Sequence, residues 1–216
     1  MNAPIPVCVF AKPPIAGAKT RLSRKYGASA AARLARAFFA DVFATVRALP
    51  WARPILATTT RDAGAFELEE PPEIWLQGEG DLGDRMERVL ARGVADAGRA
   101  IVIGADLPGL PSAHLDSARE ALATREAVLG PTVDGGFYLI GLSRVPSGAL
   151  AHLPWSHYDT LAKTAARLAE LGLDAARAPI WFDVDEPDDL PRVRRVLERN
   201  PERAPHTMEA LLAMGA

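Results

Sequence analysis

Residues 127–142 read AVLGPTVDGGFYLIGL, two apolar runs held apart by only five residues, Thr132-Val133-Asp134-Gly135-Gly136. Five residues are too few for the helical crossover that joins parallel strands, which takes about a dozen. The two runs are therefore expected to pair as antiparallel neighbours across a tight turn, and Asp-Gly is a common turn signal. On both sides of this stretch, short apolar runs alternate with longer segments of helical period. The spacing predicts strands over 7–11, 55–59, 73–76, 100–105, 127–131, 137–142 and 180–184. It predicts helices over 28–49, 63–69, 84–97, 112–123, 158–171, 188–198 and 207–214, with Ser112 as an N-cap and Gly98 and Gly172 ending helices. Alternation of this kind implies right-handed crossovers and a parallel sheet with helices on both faces. The expected fold is a three-layer α/β/α domain with a mixed, mostly parallel sheet, spanning residues 1–216 as a single unit.

Composition narrows the function. The 216 residues carry 25 Lys+Arg against 27 Asp+Glu, a net charge of −2, and 49% are hydrophobic. That is enough apolar material for a core, and the charge balance excludes a strongly basic nucleic-acid binder. A single cysteine, Cys8, excludes an internal disulfide framework and a four-cysteine zinc site. Neither a leader segment nor an apolar run of about 18 residues is visible, so a cytoplasmic protein is expected. The chain has 21 arginines but 4 lysines, and Lys12, Lys19 and Lys25 fall within its first 25 residues.

Ligands in open α/β sheets bind beyond the carboxyl ends of the strands, so the residues that follow each strand matter most. After the first strand, Lys12, Lys19 and Arg21 lie on a Pro/Gly-rich loop that leads into a helix. This arrangement suits a di- or triphosphate, although a solvated basic loop would look the same. It is not a Walker loop, because Ala18 precedes Lys19 and Lys12 stands near the place of the required glycine. A second loop, residues 77–83, satisfies G-x-G-x-x-G. Glu79 and Asp81 would repel a pyrophosphate there, which argues against dinucleotide binding. Gly83 and Arg85 at its end join Lys12, Lys19 and Arg21 as candidate nucleotide- and phosphate-binding residues. The fourth strand delivers Asp106, and the last predicted strand ends at Asp185. Two carboxylates at separate strand ends beside a cationic loop suit Mg2+ or Mn2+ bound together with a diphosphate. Asp188 and Asp189 read instead as negative residues opening a helix. Asp134 is a second candidate catalytic carboxylate after Asp106, yet a hairpin alone also accounts for Asp134-Gly135. Gly135, Gly136 and Trp155 are the candidate sugar or acceptor pocket, with core packing the alternative for Trp155. None of the four histidines has metal-ligand spacing.

In order along the chain, residues 9–22, 77–86, 104–111, 129–142, 154–156 and 182–190 resemble nucleotide-diphospho-sugar transferases of the GT-A type. They are most similar to the bacterial DUF2064 family, also called the radical-SAM/selenodomain-associated transferases. The resemblance implies that Asp106 and Asp185 hold a divalent metal while Lys12, Lys19 and Arg21 face the phosphates. It implies a metal-dependent glycosyltransferase with a nucleotide-sugar donor and a small acceptor. Related nucleotidyltransferases, which release pyrophosphate from a nucleoside triphosphate, share the K-T-R-L and D-V-D-E-P-D-D-L patterns and form the alternative. Where those enzymes often carry threonine, this chain has Glu186. A nucleotide-sensing module would need the phosphate loop but not both aspartates.

Overall fold

The computed structural model describes residues 3–15 and 19–214; Ala16, Gly17 and Ala18 of the first loop lie outside the described residues. One sheet holds seven strands: β1 (Ile5–Phe10), β2 (Ala52–Thr58), β3 (Glu73–Leu76), β4 (Ala100–Gly104), β5 (Ala127–Pro131), β6 (Phe137–Leu142) and β7 (Ala175–Arg177). Their spatial order is β3-β2-β1-β4-β6-β5-β7. The pairs β1–β2, β1–β4, β2–β3 and β5–β7 are parallel, while β6 runs antiparallel to both β4 and β5. The turn at 132–136 thus creates the one reversed strand, with a bulge at Gly130/Pro131 where proline has no N–H for the ladder.

Among the described residues seven α-helices complete the layers: α1 (Thr20–Tyr26), α2 (Ala28–Arg47), α3 (Leu82–Ala97), α4 (Ser112–Thr124), α5 (Thr160–Glu170), α6 (Leu190–Arg199) and α7 (Pro205–Ala213). The central strands are apolar on both faces because both are covered. Val7, Val9, Ile101 and Ile103 join Phe39 and Phe43 of α2 and Leu115 of α4 on one face. Cys8 and Val102 join Met86 and Leu90 of α3 and Leu168 of α5 on the other. Behind α2 a further cluster joins Leu34 and Phe38 to Val193 and Leu197 of α6 and Leu211 of α7. Each such side chain contributes about 1.5–3 kcal/mol when fully buried. The buried Asp41 of α2 ties that outer layer down. Its Oδ1 accepts from His206 N (3.1 Å) and Nδ1 (2.8 Å), and its Oδ2 accepts from Thr207 N (2.8 Å) and Oγ1 (2.6 Å), which caps the start of α7. No helix among the described residues is long and apolar enough to cross a membrane.

Four expectations are corrected. Residues 180–184 do not form a strand; Trp181 makes one isolated bridge to Thr132, and the strand beside β5 is β7. The helix expected over 63–69 shrinks to one 3-10 turn, Gly64–Phe66, ended by Glu67 in a left-handed conformation. Gly27 (φ 84°) separates α1, which the spacing had not predicted, from α2. Ser112 is the first residue of α4 rather than its cap, since Pro111 holds that position.

Candidate active site

Neighbour order reverses between β1 and β4, with β2 and β3 to one side and β6, β5 and β7 to the other. The crevice beyond the carboxyl ends of β1 and β4 is therefore the switch point where this architecture accepts ligands. Lys12 follows β1 and Asp106 follows β4, so both open onto it.

Asp185 reaches the same point through chain pairing. Val184 N donates to Asp106 O (3.0 Å), and Trp181 N donates to Pro131 O (3.0 Å), so residues 181–184 run extended along the sheet margin. Phe182 and Val184 are buried, and Asp183 and Asp185 alternate with them. Beyond the turn, Asp189 Oδ2 accepts from Asp185 N (3.0 Å) and Glu186 N (2.7 Å), the helix-opening role expected of this acidic run.

Lys19 lies between the two carboxylates. Its Nζ donates to Asp106 Oδ2 (2.8 Å), Asp185 Oδ1 (2.7 Å) and Val184 O (2.7 Å), so each of its three N–H groups has an acceptor. Burial works against the ammonium, but the adjacent Asp106 and Asp185 outweigh it and hold Lys19 above the ordinary lysine range. Expected at the phosphates, Lys19 instead stands where the metal was expected. Two carboxylates converge there on one cation, the kind of donor set that Mg2+ or Mn2+ uses beside phosphate oxygens. Among the described residues no group of three or more His, Cys, Asp or Glu side chains could hold a metal unaided.

Two cavities meet at Phe10, Lys12, Lys19 and Leu82. The first, about 1000 Å³, is lined by Pro13, Ile15, Phe39, Phe66, Gln77 and Arg85, and suits a flat base. Gln77, which the sequence reading passed over, is 1% exposed and donates from Nε2 to Ala57 O (2.8 Å) and Ala11 O (3.3 Å). The second, about 920 Å³, is lined by Asp134, Gly136, Phe137, Trp155, Tyr158 and Asp183. Asp183 was also passed over, although its alternation with buried Phe182 and Val184 was a usable signal. Burial, followed by the charges of Asp185 and Asp134, pushes its carboxyl up to about 6.

The remaining expected residues divide between cleft and packing. Asp134 lines the second cavity, with Oδ1 accepting from Thr132 Oγ1 (2.6 Å) and Gly136 N (3.0 Å). Trp155 lines it edge-on to Phe137, with ring centroids 6.1 Å apart. Gly135 (φ 91°) is accounted for by packing instead: a Cβ there would lie 1.8 Å from Tyr158 O. Likewise a Cβ on Gly83 would lie 2.2 Å from Leu150 O, so this glycine seats α3 rather than opening a ligand surface. Arg85 lines the first cavity with its Nε bonded to Gly80 O (2.9 Å). Arg21 pairs with Glu186 at 3.2 Å, which gives the acidic residue at that position a local partner. In the second loop, Asp81 caps α3 reciprocally with Asp84, so carboxylates hold the helix end that a dinucleotide would need.

The chain is similar to several known proteins. Residues 41–157 match the model of the DUF2064 family, described as an uncharacterized protein conserved in bacteria. The phosphoenolpyruvate guanylyltransferase of Conexibacter woesei is 31% identical over 202 residues, covering 88% of each chain. A crystal structure from Desulfovibrio desulfuricans G20, provisionally described as a nucleotide-diphospho-sugar transferase, is 26% identical with a TM-score of 0.78, covering 94% of this chain and 97% of that one. The fold also matches glucosyl-3-phosphoglycerate synthase from Mycobacterium tuberculosis in complex with Mn2+ and UDP, with 13% identity, a TM-score of 0.53 and coverage of 94% and 80%.

Proposed function

Because the chain belongs to the DUF2064 family and has the fold of nucleotide-dependent transferases, we propose that it moves a glycosyl group from a nucleotide-diphosphate sugar to a hydroxyl of a small, uncharged acceptor. The observation that carries this reading is the chemistry of the second cavity. Asp134 and Asp183 line it without a cationic partner in any ion pair among the described residues, beside Phe137, Trp155 and Tyr158. Carboxylates accept hydrogen bonds from sugar hydroxyls and aromatic faces cover apolar ring surfaces, while Lys12, Lys19 and Arg21 on the same lining face the phosphates.

In this arrangement the base occupies the first cavity and the diphosphate crosses between Lys12 and Lys19. Asp106 and Asp185 would hold Mg2+ or Mn2+, whose positive charge would offset the charge developing on the departing diphosphate. Lys12 and Arg21 add charge-assisted contacts to the same oxygens. The acceptor oxygen bonds to the anomeric carbon as the bond to the β-phosphate oxygen breaks. Asp134 takes the hydroxyl proton on Oδ2, while Thr132 and Gly136 hold its other oxygen in place.

The guanylyltransferase relative favours a second reading, in which the α–β phosphoanhydride of a nucleoside triphosphate breaks and pyrophosphate leaves. A product assay separates the two. With Mn2+, a nucleotide-sugar mixture and neutral polyols, the expected product is nucleoside diphosphate, and Asp106→Asn should reduce its release at least about hundredfold. Pyrophosphate formed from a triphosphate and an anionic acceptor, without nucleotide-sugar turnover, would establish the second reading and overturn the first.

A further inference from the structure

We propose that Lys19 is an exchangeable occupant of the Asp106–Asp185 site: its ammonium holds the carboxylates together until a divalent cation replaces it, and the freed side chain then turns to the phosphates. The inference rests on the metal site proposed above and concerns how that site is filled. Lys19 Nζ lies 2.8 Å from Asp106 Oδ2 and 2.7 Å from Asp185 Oδ1. A Mg2+ ion binds carboxylate oxygens at about 2.0–2.1 Å, so an ion placed between these two oxygens competes with the ammonium for their lone pairs and repels its charge. The carboxylates cannot simply be vacated, because removing the buried ammonium leaves two close carboxylates, the Asp106 side chain 36% exposed and that of Asp185 55%, without a counter-charge. Exchange avoids that cost, since one cation leaves as another arrives.

The local geometry allows the movement. Lys19 is the residue just before α1 and lies outside every strand, so its side chain can turn without disturbing the sheet ladder. It lines both cavities, which places phosphates entering from either side within reach of its four-carbon stem. The charge count then links the two ligands. Two carboxylates and one ammonium sum to −1, which disfavours an anionic nucleotide. Replacement by a divalent cation brings the carboxylate pair to neutrality and adds a free ammonium on the phosphate side. Metal and nucleotide should therefore strengthen each other's binding.

Mn2+ titration followed by the paramagnetic signal of free Mn2+ tests the exchange, using the full chain and Lys19→Met, each with and without GDP or UDP. Without nucleotide, Lys19→Met should bind Mn2+ about tenfold tighter or more, because the wild type is mostly in a state closed to metal. The variant should also gain less from added diphosphate than the wild type does. A second measurement needs no variant: acetylation of the Lys19 amine by an N-hydroxysuccinimide ester, read by mass spectrometry, should run several-fold faster with Mn2+. Equal or weaker Mn2+ binding by Lys19→Met, or acetylation indifferent to Mn2+, would overturn the exchange and leave the metal site standing. Absence of Mn2+ binding in both proteins, with and without diphosphate, would overturn the metal site itself.

Discussion

Asp183 shows what a single carboxyl group costs this fold. Its pKa is pushed up to about 6 by burial and by its acidic neighbours, so the folded state holds its proton more tightly than the unfolded chain does. Stability should fall as pH rises from about 4 through about 6 and then level off. In EDTA, Asp183→Asn should therefore raise Tm by a few degrees at pH 8 and change it little at pH 4, since about 1 kcal/mol moves Tm by about 2–4 °C at this size. Equal shifts at both pH values would show that the carboxyl is not strained by its surroundings. Arg21 presents the opposite case. Its ion pair with Glu186 joins two side chains that are each more than half exposed, and such pairs contribute about 0–1 kcal/mol. Arg21→Ala should leave the denaturation midpoint nearly unchanged while weakening nucleoside diphosphate binding by fluorescence titration. A large loss of stability would make Arg21 structural.

At the scale of elements, Gly83 reverses the usual helix rule. Glycine to alanine in a helix ordinarily gains about 1 kcal/mol. Here the new methyl would meet the Leu150 carbonyl at 2.2 Å, so Gly83→Ala should lower the urea midpoint and push α3 away from the segment that carries Trp155. Asp41→Ala should cost more, about 2–4 kcal/mol, because it removes a cap and leaves several donors of α7 unsatisfied in a covered position. These contacts also explain what the sequence could convey. The β5–turn–β6 unit was legible because its hydrogen bonds are local and its turn chemistry is explicit. β7 was not, since Ala175-Ala176-Arg177 has no apolar run and is defined only by its pairing with β5. The segment 180–184 alternates like a strand because it is half-buried and extended, yet only Trp181 forms a bridge. Asp106 and Asp185 could be picked out because each follows a short apolar or alternating run read as a strand. That Lys19 would sit between them could not, because a lysine in a basic loop carries no mark of its distant partners.

The whole molecule should respond to its ligands as one cooperative unit. A ligand at a hundredfold excess over its Kd stabilises the folded state by about 2.7 kcal/mol. A nucleoside diphosphate with Mn2+ should raise Tm more than the sum of the shifts each produces alone, as differential scanning fluorimetry can show; strictly additive shifts would count against coupling at the site. The long-range ties of the fold bear on how the chain is made. Lys19 meets Val184 across 165 residues of chain and Asp185 across 166, and Asp41 waits the same distance for His206 and Thr207. Contacts so far apart close slowly, because the loop between their ends must first be ordered. On a ribosome supplying residues from the N-terminus, most of the sheet can form while the carboxylate at the end of β4 still lacks its counterpart. The proposed site is thus completed only once Asp185 has been made, and a nascent chain that ends before it lacks one of the two carboxylates however well its early strands have folded.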